Sequence, residues 1–214
     1  MSECSRKSSD IRRMRPDSIA RHAALVLLVV AFSGCATQQG VGLPDMPDWD
    51  SRTQVLGDID DWEFKGRIGV SAGEEGFNGK LRYTQDDDEF RATVSGPLGF
   101  GTIRIEGDGR QVTVTDNDGE LWQLPDPEVD LQIMYGWTIP VASLRYWALG
   151  IPNPDELAFT EFNEVGQLES LEQGNWHVRI TKYRDSAGQQ MPRTLTAVSG
   201  DNKVKLVIDN WTFR

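Results

Sequence analysis

The sequence predicts a mainly β (α+β) protein, an antiparallel meander forming a curled sheet or partial barrel, with helices closing its open mouth. Two observations carry that reading. From Trp62 to Val114, and again after residue 176, apolar side chains recur at every second position. Between those runs, residues 126–150 abandon the period of two and take up helical spacing. Alternation gives each strand one face for a core and one for water. A long meander broken by one helical segment fits a curled sheet whose open mouth the helices close.

The elements follow in order. "WDSRTQVLGDIDDW" (49–62) has room for a short helix. "WEFKGRIGV" then sets Trp62, Phe64, Ile68 and Val70 against Glu63, Lys65 and Arg67. "FNGKLRYTQ" sets Phe77, Leu81 and Tyr83 against Lys80 and Arg82, and "FRATV" sets Phe90, Ala92 and Val94 against Arg91 and Thr93. Ile103 with Ile105, and Val112 with Val114, continue the period. "DDDE" (86–89), "GDG" (107–109) and "NDG" (117–119) separate these runs at hairpin spacing. "DPEVDLQIMYGW" and "VASLRYWALG" then read as helices, the second with Leu144, Trp147 and Ala148 on one stripe and Gly150 as its stop. Alternating strands return at "NWHVRITKYR", "RTLTAVS" and "KVKLVIDNWTF".

The first residues are of another kind. "AALVLLVVAF" (23–32) is an apolar run behind Arg12, Arg13, Arg15 and Arg21. A membrane-spanning helix needs roughly 20 apolar residues, so this run reads as a secretory signal. Met14 offers a second start for the same leader. "FSGC" ends at Cys35 and matches the lipobox of bacterial lipoproteins, in which the cysteine becomes the acylated first residue. The expected organisation is a signal peptide at 1–34, an acylated N-terminus and tether at 35–48, and one folded domain at 49–214. Ala36 stands where an inner-membrane retention signal would place Asp. The expected location is therefore the periplasmic face of the outer membrane. Cys4 belongs to the leader, which leaves only Cys35 and no disulfide.

The chemistry inventory is short. Net charge is −11 for the whole chain. The leader carries a net +3, so the mature chain stands at −14. That balance speaks against nucleic acid and against adhesion to anionic headgroups by charge. His22 lies in the leader, and His177 is out of phase with Trp176 and Val178, facing outward. A Ser–His–Asp triad therefore has no base, no Gly-x-Ser-x-Gly elbow occurs, and zinc has no ligand set. "GEEGFNGKL" (73–81) has the wrong spacing for a phosphate loop, and the acidic turns lack calcium-loop spacing. No catalytic residue, metal or cofactor is expected. What remains is apolar: seven Trp, eight Phe and four Tyr without a polar constellation. An apolar cavity suits an acyl ligand.

Several segments together resemble the LolB family of outer-membrane lipoprotein receptors: "GRIGV", "GPLG" (96–99), "IPVASLRYWALGIP" (139–152) and "MPRTLTAVSGDNKVKLVIDNW" (191–211), in the family's order. The resemblance implies a half-open antiparallel β-barrel curled around an apolar cavity and covered by a short helical lid, not an enzyme. It would accept acylated lipoproteins from the periplasmic carrier LolA and insert them into the outer membrane. It also implies a protruding turn, Pro97, Leu98, Gly99 and Phe100, whose leucine meets the membrane. Burying one leucine in lipid is worth ~1.5–3 kcal/mol. The expected cavity wall is the inward set of each strand. It comprises Phe64 and Ile68, then Leu81 and Tyr83, then Phe90 and Val94, then Ile105 and Val114. Val178 and Ile180, Leu195, and Leu206 with Ile208 complete it, under Leu144 and Trp147 of the lid. The expected partners are LolA, lipoprotein acyl chains and outer-membrane lipid, with no nucleic acid and the protein a monomer. The alternative is an envelope-stress or lipoprotein-sensing module on a related half-barrel, which would hold a regulatory protein in a stable complex.

The lipobox gives a direct test. Mass spectrometry of the protein from membranes should find Cys35 as the N-terminus and acylated. An unmodified chain that starts at Ala36 or keeps the leader would refute the assignment.

Overall fold

The computed structural model describes residues 40–96, 101–108 and 111–214. Cys35 and the turn Pro97, Leu98, Gly99 and Phe100 lie outside the described residues.

The alternating segments become β1 (Asp61–Ala72), β2 (Glu75–Asp86), β3 (Glu89–Ser95), β4 (Thr102–Gly107) and β5 (Val112–Thr115). After these come β6 (Leu121–Leu124) and two helices, α2 (Pro127–Tyr135) and α3 (Val141–Leu149). The chain finishes with β7 (Ala158–Phe162), β8 (Leu168–Gln173), β9 (Trp176–Ser186), β10 (Gln189–Ser199) and β11 (Asn202–Phe213). A short helix, α1 (Trp49–Gly57), precedes the sheet. All eleven strands form one antiparallel sheet in the order β6-β5-β4-β3-β2-β1-β11-β10-β9-β8-β7. The only neighbours not consecutive in sequence are β1 and β11.

The sheet curls. Among its contacts, α2 packs on β6 and α3 on β10, far apart in the strand order, and inward residues of both halves of the sheet join one buried cluster with the lid. The edges β6 and β7 stay unpaired with each other, so the barrel is half open. The lid segment carries the chain from one edge to the other.

Three strands were not evident from alternation. β6 is four residues long. β7 points Phe159 and Phe162 to solvent, and β8 buries Ser170 and Gln173, so neither shows a clean apolar face. The two lid helices match the sequence reading, each closed by a left-handed glycine. Gly136 stops α2 at φ 73° and Gly150 stops α3 at φ 78°. Asp48 caps α1, its carboxylate accepting from the Ser51 N–H at 2.8 Å. Residues 40–44, read as part of a tether, run against the sheet. The Val41 N–H donates to the Phe213 carbonyl at 2.8 Å, and the Leu43 N–H to the Ala187 carbonyl at 2.9 Å.

A bulge in β11 decides what the interior holds. The register passes from Lys65↔Asn210 to Gly66↔Ile208, leaving Asp209 without an opposite residue. The inward set of β11 therefore changes parity, from Val204, Leu206 and Ile208 to Trp211 and Phe213. At this point Gly66 is obligatory, because a Cβ there would lie 2.2 Å from the Val207 carbonyl oxygen.

Near that end of β1, Glu63 is buried on the outer side of the sheet among three cations. Its carboxylate meets Arg82 at 2.9 Å, Arg214 at 3.2 Å and Lys65 at 3.3 Å. Burial alone would raise its pKa, but the hydrogen bonds from Arg82 and Lys65 outweigh this and hold it below the usual glutamate value. A depressed carboxyl pKa stabilises the fold above the ordinary value, and that contribution is lost as pH falls through the depressed one. Glu63→Gln should cost about 1.5–3 kcal/mol at neutral pH and flatten the acid limb of the stability curve, read by urea unfolding at several pH values.

Candidate functional site

The concave face is one continuous apolar wall with two characters. At the end where β1 begins, aromatic rings line up across four strands. Phe64 stacks on Tyr83 at 5.3 Å, Tyr83 on Phe90 at 5.9 Å, and Trp62 on Tyr83 at 5.1 Å. Trp211 leans on Phe64 at 5.2 Å and stacks on Phe213 at 5.6 Å. The other end is aliphatic, built from Ile68, Val70, Leu81, Val94, Val204 and Leu206. Every strand residue expected in the cavity wall is buried, and the structure brings them together in one cluster. In the lid, Trp147 is buried and Leu144 half-buried.

Polar groups on this wall are few and mostly paired internally. The Tyr83 hydroxyl donates to Gln85 Oε1 at 2.7 Å, and burial pushes its pKa well above the usual tyrosine value. The Trp62 indole N–H is buried and finds no acceptor among the described residues.

The lid is held down at identifiable points. Gln173 of β8 is the central one. Its Oε1 accepts from Trp147 Nε1 at 2.9 Å and from the Asn153 N–H at 3.0 Å. Its amide nitrogen donates to the carbonyls of Asn153 at 2.7 Å and Glu156 at 3.0 Å. Asn153 Nδ2 in turn donates to Ser143 Oγ of α3 at 3.1 Å. Arg52 of α1 donates to the Leu149 carbonyl at 3.3 Å, capping the negative end of α3. Between the helices, Trp137 packs on Phe77 of β2 at 4.8 Å, and the Thr138 N–H donates to Asn202 Oδ1 at 3.1 Å. The outer side of α2 exposes Val129, Ile133 and Met134.

A cleft of about 620 Å³ opens where α2 and α3 meet the ends of β3 and β5. Phe90 and Val112 form its apolar side, and Val141 and Tyr146 face it from the lid. Its rim carries Asp88, Asp126, Glu128 and Asp155, with Arg145 the one cation among the described lining residues. Phe90 joins this cleft to the aromatic wall within.

Gln173, Asn153, Ser143 and Arg52 escaped the sequence reading. Each acts on a partner distant in sequence, and only the buried inward Gln on β8 marks the spot. His177 lies on the outer face, half-exposed, with Glu172 at 3.5 Å. The described residues hold no cluster of potential metal ligands.

Fold and site together define the class: a lidded antiparallel half-barrel with an apolar interior. A family model described as "Outer membrane lipoprotein LolB" matches residues 60–211, and the chain belongs to the LolB family. Among curated relatives, the LolB of Pseudomonas syringae pv. syringae is 32% identical over 196 residues, 89% of this chain and 95% of that protein. The LolB of Nitrosococcus oceani is 30% identical over 194 residues, 89% of this chain and 96% of that protein. Among solved structures, a DUF1329 family protein from Desulfovibrio piger shares the fold at TM-score 0.52 and 4% identity. That match covers 76% of this chain and 89% of the other. A LolA superfamily protein from Nitrosomonas europaea aligns at TM-score 0.49 and 9% identity, over 73% of this chain and 87% of that one. The protein is an outer-membrane lipoprotein of the lipoprotein-localisation machinery, and its family is one of trafficking proteins rather than enzymes.

If Gln173 anchors the lid, Gln173→Leu strands the Trp147 and Asn153 donors inside the core. The expected cost is about 2–4 kcal/mol in urea unfolding. Faster amide exchange should appear in α3 before it appears in β1 and β11.

Proposed function

We propose that the chain takes acylated lipoproteins from LolA and releases them into the outer membrane, its concave wall holding the acyl chains in transit. The observation that supports this reading most is a wide, dry apolar wall covered by two short helices. An ordinary core needs no removable cover. The lid sits directly on the wall, so a guest must displace side chains such as Trp147 and Leu144. Each buried CH₂ contributes about 0.8 kcal/mol, so several long chains outweigh the lost lid contacts. Gly136 and Gly150, one at each helix end, give the lid places to turn. The cleft at Phe90 is the proposed entrance, and its carboxylate rim would orient a basic carrier surface.

Release follows from affinity. The receptor holds acyl chains more tightly than the carrier does and less tightly than a bilayer, so transfer runs downhill without a nucleotide. The turn Pro97, Leu98, Gly99 and Phe100 is the proposed membrane contact. Leucine at its tip favours hydrocarbon, and a carboxylate there opposes insertion.

The test is transfer from purified LolA–lipoprotein to outer-membrane vesicles. Leu98→Glu should stay folded, accept cargo at the normal rate and fail to deliver it. Its stability should shift by no more than about 0.5 kcal/mol, as for an exposed site, whereas a buried leucine would cost ~2–5 kcal/mol on truncation. Unfolding of this variant, or normal delivery, would overturn the role of the turn. A hydrophobic fluorophore bound inside should be displaced by lipoprotein, and failure to bind either would overturn the cavity.

A further inference from the structure

We propose that a groove at Gly69, on the outer face of the sheet, holds the phosphate of an anionic phospholipid headgroup. The chain is strongly acidic, yet the outward positions of the central strands are not. Lys65, Arg67, Lys80, Arg82, Lys203 and Lys205 all lie on that side, with Lys65 opposite Arg82, Arg67 opposite Lys80, Lys203 opposite Ser71 and Lys205 opposite Gly69. Three of the six have partners: Arg67 pairs with Asp209 at 3.2 Å, and Lys65 and Arg82 share Glu63. Lys80 and Lys205 make no ion pair among the described residues. Lys80 stands directly opposite Arg67 across the β1–β2 pair, a like-charge arrangement that weakens a sheet. In a chain rich in carboxylates, such a pair is unexplained by folding alone.

Gly69 lies beside this pair, with Asn78 opposite it on β2 and Lys205 opposite it on β11. A glycine inside a strand is a cost unless geometry demands it. Here it does not: a Cβ at Gly69 would meet nothing nearer than Asn78 Cβ at 4.0 Å. What the missing side chain leaves is a groove of about 370 Å³, floored by Gly69, Gly79 and Val207 and flanked by Arg67, Lys80 and Lys205. Two ammonium groups without an ion pair among the described residues, and the Asp209-paired guanidinium of Arg67, flank a largely apolar floor, which suits a phosphodiester with its glycerol carbons attached rather than a bare anion.

Position selects the source of that phosphate. The groove runs to Ser95 and Gly96, where the chain leaves β3, and the Gly96 N–H donates to the Gly101 carbonyl at 3.0 Å. The chain is an outer-membrane lipoprotein, so lipid headgroups are its permanent neighbours. That the groove faces them rests on the proposed membrane contact at the same edge.

The experiment uses the acylated mature chain held by its own anchor in phosphatidylcholine vesicles, with or without phosphatidylglycerol. Lysine acylation is followed site by site by mass spectrometry. Phosphatidylglycerol should slow modification of Lys80 and Lys205 several-fold and leave Lys182, outward on β9, little changed. Gly69→Val, which fills the groove while favouring the strand, should abolish that protection with folding intact. Lys80→Gln should weaken it at Lys205, and gives the same reading if the valine variant does not fold. Equal modification with and without phosphatidylglycerol overturns the proposal, as does equal slowing at Lys182. Protection by inorganic phosphate alone in phosphatidylcholine would show a free-anion site and overturn the lipid assignment. Cargo transfer is not read here, so a lost footprint beside normal delivery refutes the groove and leaves the receptor reading standing.

Discussion

The pairing of the first strand with the last is the constraint on which everything else hangs. β1 and β11 run together for their full length, and they join a six-strand meander to a five-strand one. Remove that seam and each half is a ladder of hairpins with one greasy side and nothing to bury it against. With the seam made, the free edges fall at β6 and β7, and the chain must cross from one to the other. The crossing is the lid. A cover over the mouth is thus a consequence of topology.

The cover is attached differently from the strands. The strands are joined by long continuous ladders, whereas the lid depends on a buried amide knot at Gln173, a cap from Arg52 and the Trp137–Phe77 contact. The hydrogen bonds of the knot reach α3 at Ser143 in its first turn and Trp147 in its last. Attachments of this kind open at lower free energy than the sheet beneath them. The wall itself is built to stay: its rings interlock across β11, β1, β2 and β3, and its aliphatic end is fully buried. The lid also packs into the same core, with Leu131, Trp137, Ile139, Trp147, Leu149 and Ile151 all buried.

Most of the sheet was legible in the sequence because one buried face imposes a period of two. The wall was legible for the same reason, since inward residues of a curled sheet are its lining. The method failed where that premise fails. β8 turns Ser170 and Gln173 inward because the knot needs them, and β7 is an edge with Phe159 facing water. Gln173 pairs with Trp147 across 26 positions, a distance no local pattern reports.

The Asp209 bulge has a consequence for how this sequence can change its length. Hairpin tips such as 117–119 project into solvent and tolerate a residue more or less. Position 209 does not, because it sets which side of β11 its last four residues present. Deleting it would turn Trp211 and Phe213 outward and bring Asn210 and Thr212 into the aromatic end, inverting that end in one step. No point substitution elsewhere restores the phase, so β11 is a stretch where the number of residues is under stricter selection than their identity.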